Sequence, residues 1–163
     1  MKRGAALMIV LFLVLLLLVL GMAFLGKQVF SYRSSTQAAL SQQALGLAWA
    51  GLERCRAKLS KDIEFPPKSA QDQSWFSYTE EIFDLDGVTR LGNCSVTVDS
   101  RWAGPPYGVL LITAEGRVLR AGTVVSTRTL QAELDVLPGE RGNPGNPNPT
   151  LWEYLNWTDR GSL

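Results

Sequence analysis

Residues 4–26 read GAALMIVLFLVLLLLVLGMAFLG, with no charged residue between Gly4 and Gly26. Lys2 and Arg3 precede the run and Lys27 follows it. A helix rises about 1.5 Å per residue, so about 20 apolar residues cross the hydrocarbon core of a bilayer. A cleavable secretory leader has a shorter apolar region, roughly 7–15 residues, that ends in a small-x-small cleavage site. Gly21, Met22 and Ala23 are followed by more apolar sequence and make a poor site of that kind. No cysteine stands near the end of the run, which argues against a lipid-modified anchor. The expectation is a retained transmembrane helix over residues 5–26. Lys2 and Arg3 hold its start on the cytoplasmic side, and the rest of the chain then lies outside the cytoplasm.

Working outward, residues 27–61 read KQVFSYRSSTQAALSQQALGLAWAGLERCRAKLSK, and the first proline after the run is Pro66. Leu45, Ala48, Leu52, Cys55 and Leu59 recur at steps of three and four, one face of an amphipathic helix. Gly46 and Gly51 weaken it by about 1 kcal/mol each relative to alanine. The helix that begins in the membrane is therefore expected to continue to about residue 60, with a stripe that needs a cover.

An antiparallel sheet supplies that cover. In NCSVTVDSRW, Cys94, Val96 and Val98 fall on one face by alternation. YGVLLITA is a run of strand formers, and Glu115-Gly116 reads as a turn. In TVVSTRTLQAELDV, Leu130, Ala132, Leu134 and Val136 share one face, and Gln131, Glu133 and Asp135 share the other, wet face. The fold class is thus α+β: a long N-terminal helix, membrane-spanning in its first half, packed by its second half on an antiparallel sheet over residues 62–137. Cys55 on the helix stripe and Cys94 on the inward strand face are expected to form a disulfide worth about 2–4 kcal/mol. Two buried free thiols are the alternative.

Other stretches say less. Pro66-Pro67 ends the helix. Trp75, Phe76 and Phe83 are assigned to the core. Asp84, Asp86 and Gly87 begin like a calcium loop, but Val88 and Ser95 stand where oxygen ligands are needed, so the segment reads as a turn. Residues 138–163 form a Pro/Gly/Asn-rich linker and an aromatic tail. Trp152, Tyr154 and Trp157, with Leu151 and Leu155, either present a partner-binding surface or fold back on the domain.

Composition excludes several functions. The chain has 163 residues and a net charge of +1, which gives no global electrostatic case for nucleic acid. It contains no histidine, and therefore neither the usual general base nor the commonest zinc ligand. No nucleophile elbow, phosphate loop or Cys-x-x-Cys is present. No enzyme activity, cofactor or metal is expected.

The leader MKRG, the run RGAALMIVLFLVLLLLVLGMAFLG, the following QQALGLAWAGLERCRAKL and the strand pair in ITAEGRVLRAGTVVSTRTLQAEL together resemble the type IV pilin and pseudopilin superfamily, and within it the PilX-like minor pilins. The resemblance covers most of residues 1–137. It implies a leader of residues 1–4, cut after Gly4 by a prepilin peptidase on the cytoplasmic side, with Ala5 as the first, methylated mature residue. Most members carry a glutamate at the fifth mature position, where this chain has Ile9. A carboxylate or ammonium in hydrocarbon needs a partner. Lack of that glutamate resembles the tip subunits rather than the bulk, self-stacking ones.

The resemblance thus implies a tip-type minor pilin with no catalytic residues. Ala6, Ile9, Gly21, Ala23 and Gly26 would serve helix packing. The implied partners are other minor and major pilins, the inner-membrane assembly platform, the prepilin peptidase and, before assembly, membrane lipid. Two alternatives compete: a single-span membrane-anchored sensor or scaffold, and a DNA-binding minor pilin using Arg117, Arg120 and Arg128.

Overall fold

The computed structural model describes residues 2–62, 65–67 and 73–161, with side chains from Met8 onward. One helix, α1 (Lys2–Lys61), is followed by seven strands: β1 (Trp75–Phe83), β2 (Arg90–Asp99), β3 (Val109–Arg120), β4 (Thr123–Asp135), β5 (Gly139–Glu140), β6 (Asn143–Pro147) and β7 (Tyr154–Gly161). The main sheet has five strands in the order β1-β2-β3-β4-β7, and every neighbouring pair is antiparallel. This is the expected α+β architecture, consistent with a pilin-like fold. The chain divides into two compact units, Met1–Ala39 and Leu40–Leu163.

The first unit is helical from Lys2, and α1 is unbroken through Gly21 and Gly26. Its side chains from Met8 through Leu25 are exposed, as are Val29, Phe30 and Tyr32.

In the second unit, Ala44, Leu47, Ala48, Gly51, Leu52 and Cys55 form the buried stripe of α1. Leu45 and Leu59, assigned to that stripe, sit at its margins and are only partly covered. The stripe packs on the inward residues Cys94, Val96 and Val98 of β2, Leu110, Ile112, Ala114 and Val118 of β3, and Leu130, Ala132 and Leu134 of β4. Each fully buried aliphatic side chain contributes about 1.5–3 kcal/mol.

Small residues set how closely helix and sheet approach. A Cβ added to Gly116 would lie 2.2 Å from the Ala44 carbonyl oxygen and 2.5 Å from the Ala48 nitrogen. One added to Gly51 would lie 2.1 Å from Cys94 Sγ. Gly116 is therefore not the expected turn. It lies inside β3, paired with Cys94 and Arg128. The turn comes later, at Ala121 (φ 49°) and Gly122 (φ 79°). Positive φ at both central residues makes the two-residue connection whose twist suits a hairpin.

The β1–β2 connection is the expected turn. Asp86 accepts hydrogen bonds from the backbone N–H groups of Val88 at 2.9 Å and Thr89 at 2.8 Å, and Gly87 takes φ 66°. On β1, alternation turns Phe76 inward against Phe65, with ring centroids 5.3 Å apart. Trp75 and Phe83, also assigned to the core, are on the opposite parity and are exposed.

The largest departure is at the C-terminus. Residues 138–150 hold the short β5–β6 pair rather than a structureless linker. Beyond them β7 adds to β4, so the sheet domain extends well past residue 137. Asp135, expected on a wet face, is only 1% exposed beneath this segment. Its carboxylate accepts from Thr150 Oγ1 at 2.8 Å, Asn148 Nδ2 at 3.0 Å, the Leu137 N–H at 3.1 Å and an Arg141 guanidinium nitrogen at 3.2 Å. Burial alone would raise its pKa. The donors from Asn148, Thr150 and Leu137, with the Arg141 charge, outweigh it and hold Asp135 below the ordinary carboxylate value.

A depressed folded-state pKa gives stability that is present above the unfolded pKa of about 3.9 and is lost as pH falls through the lower folded value. Asp135→Asn turns an amide N–H₂ toward groups that are themselves donors. It is expected to cost about 2–3 kcal/mol at pH 7, with the gap from wild type closing below about pH 4. Urea denaturation of the detergent-solubilised chain at both pH values measures this. A gap that stays constant with pH would mean the carboxylate charge is not what holds the segment.

Candidate functional site: the exposed apolar helix

The most extensive apolar surface on the described residues is that of α1 from Met8 to Phe30. Ile9 is 61% exposed and Phe30 76%. The helix is long and apolar enough to cross a membrane. Monomeric soluble proteins rarely leave contiguous apolar patches of this kind uncovered. Among the described residues nothing covers this surface.

Gly4, Ala5 and Ala6, assigned to processing and packing, have helical backbones but side-chain surroundings outside the described residues. Gly21 and Gly26 have open space where a Cβ would stand. At about 100° per residue, Gly21 lies about 160° around the helix from Ala23 and about 140° from Gly26. These three do not form a single stripe; Ala23 and Gly26, three apart, are neighbours.

The expected Cys55–Cys94 disulfide is not formed: both residues are buried free thiols. Their placement explains it. Cys94 Sγ fills the space over Gly51, one helical turn before Cys55. The Cys55 thiol instead lies near Tyr78 of β1. Burial is the main cause that raises Cys55 to about 11 and Cys94 to about 12, so both remain protonated at neutral pH. Protonated buried thiols are poor nucleophiles for exchange.

The aromatic tail folds back on its own domain. The Trp157 ring meets Trp49 of α1 edge-on at 5.1 Å, and the Arg56 guanidinium lies 5.6 Å from the Tyr154 ring centroid. Trp152 is partly buried, takes φ 67° and accepts a hydrogen bond from Arg56 at its carbonyl. Hydrophobic clustering was visible in the sequence; the strand pairing with β4 that sets its direction was not.

The three arginines of the DNA-binding alternative do not form one patch. Arg117 projects from the outer face and pairs with Glu115 at 2.8 Å. Arg128 lies on the helix side, pairs with Asp159 and donates to Ser41 Oγ at 3.2 Å. Among the described residues, no group of three or more His, Cys, Asp or Glu side chains converges on a metal-sized site.

No protein family, curated protein or solved structure matches the chain.

Proposed function

We propose that the chain is a minor pilin or pseudopilin, a structural subunit that primes assembly of, or sits at the tip of, a type IV pilus or a type II secretion pseudopilus. One observation carries this reading. A single helix is uncovered and apolar over its first unit and is covered by a five-stranded antiparallel sheet over its second. Such a helix needs an apolar environment that the chain itself does not supply. A bilayer and a bundle of similar helices both supply one, and a subunit that moves between them uses the same surface twice.

In this reading the N-terminus is cytoplasmic, the sheet domain is periplasmic and the span rests in the inner membrane until assembly. Lipid tails are as apolar as leucine, so passage into a helix bundle gains little from the hydrophobic effect and depends on packing. Ile9 in place of the usual glutamate leaves no buried carboxylate to seek a neighbour's ammonium. That suits a subunit at the end of a filament.

The test is intact mass and N-terminal sequencing of the protein extracted from membranes of its native host. The expected product starts at Ala5 and carries an N-methyl group. A chain that starts at Met1 would sink the pilin pathway and leave a permanently anchored extracytoplasmic domain.

A further inference from the structure

The outer face of the sheet, away from α1, carries a hollow of about 610 Å³ near the start of β3 and the end of β4. That volume lies within the range of small-molecule sites. Its floor is apolar: Val109 and Leu111 of β3 and Leu155 of β7. Its wall is the pair Trp102 and Tyr107 from the β2–β3 connection, with ring centroids 5.0 Å apart and planes at 85°. The rings remain 46% and 55% exposed. They are not on a loose loop. The Val109 N–H donates to the Trp102 carbonyl at 2.9 Å, the Gly108 N–H to the Gly104 carbonyl at 3.1 Å, and the Val136 N–H to the Gly108 carbonyl at 2.9 Å.

Two charged side chains border the hollow, Glu133 and Arg141. Arg141 is already engaged, since its guanidinium donates to the buried Asp135. Glu133 is not. Glu80, Glu81, Asp99, Glu115 and Asp159 each hold a cationic side chain. Among the described residues Glu133 has neither an ion-pair nor a hydrogen-bond partner, although it is half-buried and stands beside Leu111 in the sheet register. A carboxylate over an apolar floor is poorly solvated, and its charge is less screened than in bulk water. The Trp102 and Tyr107 rings border the same hollow, and a ring face carries the negative potential of its quadrupole.

We propose that this hollow binds an organic ammonium group, with Trp102 and Tyr107 contributing π faces and Glu133 the counter-charge. Charge complementarity selects this occupant. An anion would meet Glu133 directly, and a purely apolar ligand would cover Glu133 without giving it a partner. An ammonium satisfies the carboxylate and both rings at once. The same chemistry is carried by a quaternary ammonium on a small molecule and by a lysine side chain on a protein. Occupancy of the site is independent of whether the apolar helix enters a filament.

The test uses the full chain in maltoside micelles, whose headgroups carry no ammonium. It is titrated with choline, with Nα-acetyl-lysine methylamide and with 3,3-dimethylbutanol, the neutral isostere of choline. The readout is the Trp102 indole N–H in a nitrogen-15 correlation spectrum, assigned by Trp102→Phe. At least one cation is expected to shift it saturably, with the neutral isostere at least tenfold weaker. Glu133→Gln is expected to weaken the cation at least fivefold. Trp102→Leu, outside the core, should weaken it similarly when read at the Tyr107 ring. Preference for choline assigns the site to quaternary ammonium ligands, and preference for the lysine derivative assigns it to a protein side chain. No saturable shift with either cation, equal binding of the neutral isostere, or wild-type affinity in Glu133→Gln would each overturn the proposal.

Discussion

Gly116→Ala is expected to destabilise the sheet domain by about 3 kcal/mol or more, the upper end of the overpacking range. The added methyl carbon would stand 2.2 Å from the Ala44 carbonyl oxygen and 2.5 Å from the Ala48 nitrogen. Both are backbone atoms of α1, so no rotamer change relieves the contact. The helix must lift from β3, and lifting it loosens Leu47, Leu52 and Cys55 together. For a domain of this size the loss corresponds to a fall of about 10–15 °C in Tm. Gly46→Ala is the matched control. It lies in the same helix with nothing near its Cβ position, and it should stabilise the chain by about 1 kcal/mol. Thermal unfolding followed by tryptophan fluorescence compares the two. If both variants behave alike, the close approach of helix and sheet is not a feature of the molecule.

The second large effect concerns the uncovered half of α1. On an insertion scale each central leucine favours the membrane by about 0.3–0.6 kcal/mol, whereas arginine disfavours it by about 2.5–3.5 kcal/mol. One Leu→Arg change therefore costs about 3–4 kcal/mol. Summed over the apolar residues of the run, the favourable total is about 5–11 kcal/mol, so Leu15→Arg alone should be tolerated. Arginine at Leu11, Leu15 and Leu18 together costs about 9–12 kcal/mol and reverses the balance. The triple variant is expected in the carbonate-soluble fraction and the single variant in the membrane pellet. Leu85→Arg, at a fully exposed turn, should not move the protein at all. A triple variant that stays in the pellet would refute lipid as the cover for this helix.

Periodicity carried much of the fold into view. The uncharged run, the stripe through Ala48, Leu52 and Cys55, and the alternation of Cys94, Val96 and Val98 all reappear as built structure. The last two signals are strong because one face of each segment is buried and the other is not. Gly116 shows where the reading failed. A glycine can serve a turn or a close approach, and nothing in the local sequence separates the two uses. Asp135 failed for another reason. Alternation placed it outward correctly, but its burial depends on Asn148 and Thr150, which return from beyond a stretch of prolines and glycines.

The disulfide failed on distance along the helix rather than on facing. Cys55 and Cys94 are both inward, and a displacement of one turn decides that they do not join. The hollow on the outer face was invisible for a related reason. Trp102, Tyr107, Glu133 and Leu155 meet only through the register of β3, β4 and β7.

The position of β7 has a consequence for how the chain is made. Synthesis delivers β1 to β4 in the order in which they lie side by side, so each new strand finds its neighbour already waiting. Until residues 154–161 emerge, however, β4 is the outermost strand, with a row of unpaired backbone groups. An edge in that state can recruit the wrong strand. The last strand of the sheet therefore decides whether the newborn domain seals itself or stays adhesive, and a chain without it would differ from the whole one mainly in the company it keeps.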